Sequence, residues 1–373
     1  MTVTEPSTDT PPTPHAPTQQ GRTWWGPSAR LSEVSRGRDN NFNLIRALAA
    51  TLVLVTHSFV LVADDMAEEP LLRQLNITLG TIAVDIFFVT SGFLIAASLR
   101  NRNNIAGFAI ARIRRIYPAV IFMSLATVFV LGPAITTAPV LTYLTEPLTY
   151  TYFLRTSLIV DGVGINLPGV FADNPFPDVV NGSLWTLPIE IRAYAIILTL
   201  WIVTRAVKHV VDKDVFGPLL VLFGSVGLLG FLSGTSLPMV LDQDSRLYVM
   251  FFIGASCFVL QRHIVLHTKV FLALAMLLLF ASQDADAFHL VYGASIAYFV
   301  FFLGHIPRGA VRAFNRVGDY SYGLYIFAFP VQQTLVATFP SISVLEMIGT
   351  SFIITLALAA LSWHFVEKPA LRR

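Results

Sequence analysis

Arg46 and His57 are the two ionisable side chains in an apolar run from Asn43 to Val62 that is long enough to cross a bilayer as one helix. At about 100° and 1.5 Å per residue they fall within roughly 20° of each other around the helix axis and about 16 Å apart along it. One stripe thus carries a cation near one membrane face and an imidazole deeper in. Such groups are costly in hydrocarbon and must face a polar cavity inside the protein. An imidazole placed there can exchange a proton near neutral pH. Its structural alternative is a hydrogen-bonded spacer between helices.

A second apolar run contains Asp85, about two turns inside its outer end. A carboxylate there needs a partner. His57 is one candidate, with Asp85 orienting its ring, and Arg192 is another. Ser91-Gly92, further along the run, would permit a close approach between helices or a local kink. In Ser183-Leu-Trp-Thr-Leu-Pro-Ile-Glu190, the glutamate lies early in a span near the outer face and Trp185 suits the membrane interface. Arg192 follows Glu190 by two residues and so points away from it on a helix.

Basic residues cluster elsewhere. Arg112, Arg114 and Arg115 precede Tyr117-Pro118 in the segment between the second and third spans. Each alone reads as an ordinary charge anchor. Together with Arg46 they match a polyanionic ligand, because guanidinium pairs bidentately with phosphate. Tyr322 and Tyr325 share one helical face and line an inner mouth. Glu367, near the C-terminus, is placed to bridge to the arginines.

The elements that hold these groups follow from composition. The 373 residues are 54% hydrophobic and 13% charged, against about 25% charged in a soluble domain. The fold class is therefore an all-α integral membrane protein. Apolar segments fall at 44–63, 78–98, 117–132, 187–204, 216–234, 246–261, 268–281, 288–304, 321–338 and 343–366, about ten spans in all. Most of the 25 lysines and arginines then lie on one side, which places both termini in the cytoplasm. Counting 140–160 as a further span would destroy that bias, so it is expected to be re-entrant or surface-lying. Residues 1–40, rich in Pro, Thr, Ser and Gln, are expected to be a disordered cytoplasmic tail; 41–373 form the membrane domain. In the tail, Trp24 and Trp25 are placed against the membrane surface, and Arg22, Arg30, Arg36 and Arg38 favour an internal N-terminus. Asp64, Asp65, Glu68 and Glu69 give the first outer loop an acidic character. The loop from Asp161 to Asn181, full of Gly, Pro, Asn and Asp, is irregular and a candidate lid or acceptor site.

The single cysteine, Cys257, excludes an intrachain disulfide. No metal spacing occurs; His263 and His267 stand four apart without a carboxylate and read as loop residues. No internal repeat of the kind built into many secondary transporters is visible.

Six motifs occur in order: Arg46-x10-His57, Val84-Asp-Ile-Phe-Phe-Val-Thr-Ser-Gly-Phe-Leu-Ile95, Arg112-x-Arg-Arg-x-Tyr-Pro118, Ser183-Leu-Trp-Thr-Leu-Pro-Ile-Glu190, Ser321-Tyr-x-x-Tyr325 and Phe365-Val-Glu-Lys-Pro369. With them the chain resembles the acyltransferase family 3 membrane proteins over about residues 41–370. The resemblance implies a multi-pass enzyme of the cell (plasma or inner) membrane. It would transfer an acyl group, usually acetyl, from acyl-CoA to a hydroxyl of a cell-envelope glycan or glycolipid. Acyl-CoA would be a co-substrate, with no permanently bound cofactor, no metal and no nucleic-acid partner. Arg46 and His57 match the family's paired arginine and histidine, the Arg112, Arg114 and Arg115 cluster its basic motif, and Glu190 its acidic position. His57, Glu190 and Asp85 are then the catalytic candidates. Arg46, Arg112, Arg114, Arg115, Tyr322 and Tyr325 are candidates for donor binding, and Trp185 and Arg192 for the acceptor side. The chain departs from the family at Ala328, where relatives often carry a histidine. His57 would act as a base on the acceptor directly or through a covalent acyl relay. The competing class is a proton-coupled transporter or flippase of a sugar or lipid, with the buried His, Asp and Glu as a proton relay.

Overall fold

The computed structural model describes residues 28–37, 39–63, 69–102, 104–159, 162–233 and 243–372. Every expected apolar segment is helical: α1 Phe42–Ala63, α2 Leu79–Arg102, α3 Ile105–Ala126, α4 Thr186–Val211, α5 Phe216–Leu232, α6 Gln243–Leu260, α7 Thr268–Ala281, α8 Ala285–His305, α9 Ser321–Thr338 and α10 Val344–Ser362. Six rods are long and apolar enough to cross a membrane: Phe42–Val62, Leu79–Asn101, Ile105–Ile135, Gly182–Val210, Ala285–His305 and Val344–Arg372. Helices α5, α6 and α7 are apolar but shorter, and α9 carries Gln332 and Gln333 among its apolar residues.

Helix α2 packs between α1 and α6. Beyond α1 lie α9 and α10, beyond α6 lies α5, and α7 pairs with α8. Glycine sets the α2–α6 contact. A Cβ on Gly92 would lie 1.8 Å from the Phe251 carbonyl oxygen, and one on Gly254 2.0 Å from that of Val89. The two backbones therefore touch, as the Ser91-Gly92 dipeptide permits.

Two boundaries differ from expectation. Helix α3 begins at Ile105, where the Asn104 side chain caps Gly107 N at 3.3 Å. The Arg112–Pro118 motif is thus inside a helix rather than in the loop before one. Pro118 lies in the helix interior and withholds a donor from the Arg114 carbonyl. The expected tail also ends earlier than residue 40. Ala29–Arg30 pairs antiparallel with Val265–Leu266, and Leu31, in the short helix Leu31–Val34, is fully buried. Residues 1–27 and 38, with Arg22, Trp24, Trp25 and Arg38, lie outside the described residues, as do Asp64, Asp65, Glu68, Asp161 and Arg373.

Segment 140–160 forms two short helices, Val140–Thr145 and Pro147–Leu158. Their Tyr143 and Tyr152 build a satellite core with Val128, Leu167, Phe171 and Val180. Residues 162–181 are irregular, as their composition requires. Gln333 of α9 pins that loop: its Nε2 donates to the Phe176 and Val179 carbonyls, both at 2.8 Å, and its Oε1 accepts from Asn174 Nδ2 at 2.7 Å. His263 and His267 sit in the connection between α6 and α7, where His267 caps α7.

Candidate active site

The polar residues gather along α1 in two groups, one around Arg46 and one around His57. At the arginine end, Asp319 Oδ2 accepts from Arg46 Nη1 at 3.1 Å and from Arg115 Nη2 at 2.6 Å, while Oδ1 accepts from Ser321 Oγ at 2.5 Å. Burial alone would raise the Asp319 carboxyl, but Arg115 and Arg46 hold it well below the usual carboxylate range. Arg115 also lies 3.7 Å from Glu367 Oε2 and over the Tyr322 ring. Glu367 reaches the cluster through a local π turn, Trp363–Glu367: Ser362 Oγ, five residues back, donates to its Oε1 at 3.0 Å. The expected bridge from Glu367 to the arginines is present. Arg112 lies over the Phe108 ring, and Arg114 is half-buried on the same helix.

Above this cluster is a narrow cavity of about 50 Å³ lined by Arg46, Phe87, Ser91, Glu190, Tyr322 and Tyr325 among others. Glu190 Oε1 accepts from Ser91 Oγ at 3.1 Å and from the Tyr194 hydroxyl. The glutamate thus belongs with Arg46 in this cavity, and the described geometry gives it no bond to His57.

His57 lines a larger cavity of about 410 Å³ with Thr56, Thr78, Thr81, Phe176, Val179, Trp185, Arg246 and Phe329. Val84 and Tyr325 line both cavities and form the partition between them. The Tyr325 hydroxyl donates to the Ser183 carbonyl at 2.6 Å and meets Thr186 Oγ1 at 2.7 Å, so its ring is fixed in that partition. His57 Nδ1 lies 3.4 Å from Ser183 Oγ, and the edge of Phe329 packs on the imidazole. Trp185 stands on this side, whereas Arg192 is exposed and lines neither cavity.

The pairing of Asp85 with His57, or with Arg192, is corrected. Asp85, fully buried, accepts from Arg246 Nη2 and from the Tyr292 hydroxyl at 2.7 Å. Arg246 and Tyr292 both engage Asp85 Oδ2, the arginine across the α2–α6 contact, and Ser183 rather than a carboxylate lies beside His57 Nδ1. Glu69 is also relocated from an acidic loop to the interior. It is 1% exposed and accepts from Leu79 N at 2.6 Å, Leu71 N at 3.0 Å, Leu72 N at 3.2 Å and Thr56 Oγ1 at 3.1 Å. Asp319 stands in the Gly318-Asp-Tyr-Ser stretch beside the tyrosine motif, yet nothing in its spacing announces two arginine partners. Arg246 belongs to no sequence motif, and its separation of 161 residues from Asp85 gives no sign of the pairing.

The fold is a polytopic helical bundle apolar enough for a membrane, with a part-buried histidine on one cavity and an arginine cluster further along the same helix. The chain belongs to the acyltransferase family 3: the family model, described as an acyltransferase domain, matches residues 39–365. It is 30% identical over 363 residues to an "O-acetyl transferase" of Shigella phage Sf6, an alignment covering 90% of this chain and 97% of that protein. It is 27% identical over 381 residues to "Nodulation protein 10" of Rhizobium leguminosarum bv. viciae, covering 93% of this chain and 96% of that protein. No solved structure matches the chain. The protein is a multi-pass membrane acyltransferase, and its family supports O-acyl transfer.

Proposed function

We propose that the protein moves an acetyl or other acyl group from cytosolic acyl-CoA to a hydroxyl of a cell-envelope glycan or glycolipid. In this reading the ten helices α1–α10 all span the plasma or inner membrane, both termini are cytoplasmic, and the arginine end faces the cytosol. One observation carries the proposal: the cavity holding Arg46 and the cavity holding His57 share Tyr325 and Val84 as a common wall. For a slim pantetheine arm to pass, the Tyr325 hydroxyl has to release the Ser183 carbonyl and Thr186; the arm then brings a thioester to His57 while its phosphates stay with Arg112, Arg114 and Arg115. The aromatic faces of Phe176, Trp185 and Phe329, interspersed with three threonines, suit a sugar ring on the other side.

The reaction then needs one base. The acceptor oxygen attacks the thioester carbonyl carbon as His57 Nε2 takes the hydroxyl proton. The tautomer this step requires carries its proton on Nδ1, where Ser183 Oγ at 3.4 Å can accept a hydrogen bond from it, and leaves Nε2 free. The C–S bond breaks, and the CoA thiolate leaves with the proton from His57.

Labelled acetyl-CoA given to membranes containing the full chain tests this. Wild type transfers label to envelope glycan or lipid. A His57→Ala protein, inserted and folded, transfers at most about 10⁻² as fast. Arg115→Ala raises the KM for acetyl-CoA about tenfold. Solute movement without covalent label in the wild type would refute the reading in favour of a transporter.

A further inference from the structure

Attack on a thioester puts negative charge on the carbonyl oxygen, and a base at His57 does nothing for that oxygen. A preorganised donor does. Among the residues lining the His57 cavity, Arg246 is the one arginine or lysine. It is held from behind: Nη2 donates to Asp85 Oδ2, which also accepts the Tyr292 hydroxyl at 2.7 Å, and Phe231 lies against the guanidinium at 5.9 Å. Its Nε is buried without a partner among the described residues, while a quarter of the side chain, at other atoms, remains accessible. The cavity's lining is mainly apolar, so a fixed cation acts there against weak screening.

We propose that Arg246 donates to the acyl carbonyl oxygen as it becomes an oxyanion, with Asp85 and Tyr292 as positioning residues that hold the guanidinium. This rests on the acyl-transfer reading above. In the step, the acceptor O–C bond forms, the carbonyl π pair moves to the oxygen facing Arg246, and the hydroxyl proton passes to His57. When the C–S bond breaks, the oxygen returns its electron pair and CoA leaves as the thiol. Asp85 keeps Arg246 from turning away. It stays on the far side of the guanidinium from the reacting atoms.

The variants follow from the same geometry. Asp85 Oδ1 has no partner among the described residues, whereas Oδ2 takes both bonds. Asp85→Asn can therefore keep both bonds at its oxygen and turn its NH2 to the unoccupied side. Arg246→Gln alone strands a buried carboxylate, so the combined variant D85N/R246Q, which leaves a neutral pair, separates chemistry from folding. The readout is the initial rate of label transfer from acetyl-CoA in membranes containing the full chain, over a range of acetyl-CoA concentrations, beside a melting curve of each purified protein.

R246Q and D85N/R246Q should both lower the maximal rate about 10²–10³-fold, with the KM for acetyl-CoA within about threefold of wild type. R246K should fall between, and D85N should lose less than tenfold, since Arg246 remains. A folded D85N/R246Q that matches D85N in rate overturns the proposal and makes the pair structural. A loss that saturating acetyl-CoA restores also overturns it, because Arg246 would then bind donor. Absence of label from wild type overturns the acyl-transfer reading itself.

Discussion

Replacing Glu69 by glutamine tests whether the histidine end is built on a buried carboxylate. Both oxygens of Glu69 are occupied: Oε1 by Leu79 N and Thr56 Oγ1, Oε2 by Leu71 N and Leu72 N. Leu79 opens α2, so the carboxylate caps the helix that carries Asp85 and the α6 contact. An amide has one acceptor oxygen. If its NH2 takes the Oε2 position, Leu71 N loses its acceptor, while Leu72 N keeps the Glu69 carbonyl at 3.2 Å; if it takes the Oε1 position, Leu79 N loses its acceptor instead. Either way one backbone donor is left unmade, so Glu69→Gln destabilises by about 1–3 kcal/mol. Thr56 links that loss to function. Its hydroxyl donates to Glu69, accepts from Gly80 N at 2.7 Å and lines the cavity beside His57. Thermal unfolding of the purified protein in detergent, read by intrinsic tryptophan fluorescence, should show a midpoint several degrees below wild type. Label transfer should fall with it, even at temperatures where the variant stays folded. A midpoint indistinguishable from wild type would refute the capping role and the route from Glu69 through Thr56 to the cavity.

The acid limb of stability should trace to Asp319. Its folded pKa is depressed by Arg115 and Arg46, so its contribution is fully present above the unfolded carboxylate value of about 3.9 and is lost as pH falls below that. Melting curves between about pH 3 and 7 should steepen downward at the acid end for wild type and less so for Asp319→Asn, which melts lower throughout. Ser183→Ala removes the hydroxyl near His57 Nδ1 and should lower kcat about tenfold while leaving the KM for acetyl-CoA unchanged, since only ring orientation is lost. Gly92→Val drives a side chain into the Phe251 carbonyl and should abolish the folded, detergent-extractable protein. Gly349→Ala, where an added Cβ meets nothing within 4 Å, should leave extraction and melting at or above wild type.

Hydropathy found all ten long helices because burial in lipid or core writes itself as long apolar runs. It misplaced the start of α3, because Arg112, Arg114 and Arg115 make a helix turn look like a loop when only apolarity is scored. It missed the order at residues 29–34, because a two-residue strand pair and one buried leucine leave no periodic trace. Which helices span the bilayer is a question of length and apolarity, and by that measure six are sufficient. The site divides in the same way. Arg46, His57, Glu190 and Tyr322 each line one of the two cavities, Tyr325 lines both, and Glu367 meets Arg115. What stayed hidden was pairing across helices distant in sequence: Asp85 with Arg246, and Asp319 with two arginines at once. A charge's helix face is readable from period, but its partner depends on which helices pack, and no periodicity records that.

The pairing matters because it decides what each charge is free to do. If Asp85 had faced His57, the site would be a carboxylate–imidazole pair with a loose arginine elsewhere. With Asp85 on Arg246, the cavity instead presents an imidazole and a guanidinium held by different helices, α1 and α6, and no carboxylate among its lining residues. A base and a separate cation are the two elements that acyl transfer to a hydroxyl asks for: one accepts the proton, the other the oxygen's charge. At the arginine end the logic runs in reverse. Asp319 and Glu367 tether Arg46 and Arg115, so under the proposed reading a polyanion would meet guanidiniums already gathered and need only compete for their remaining donors.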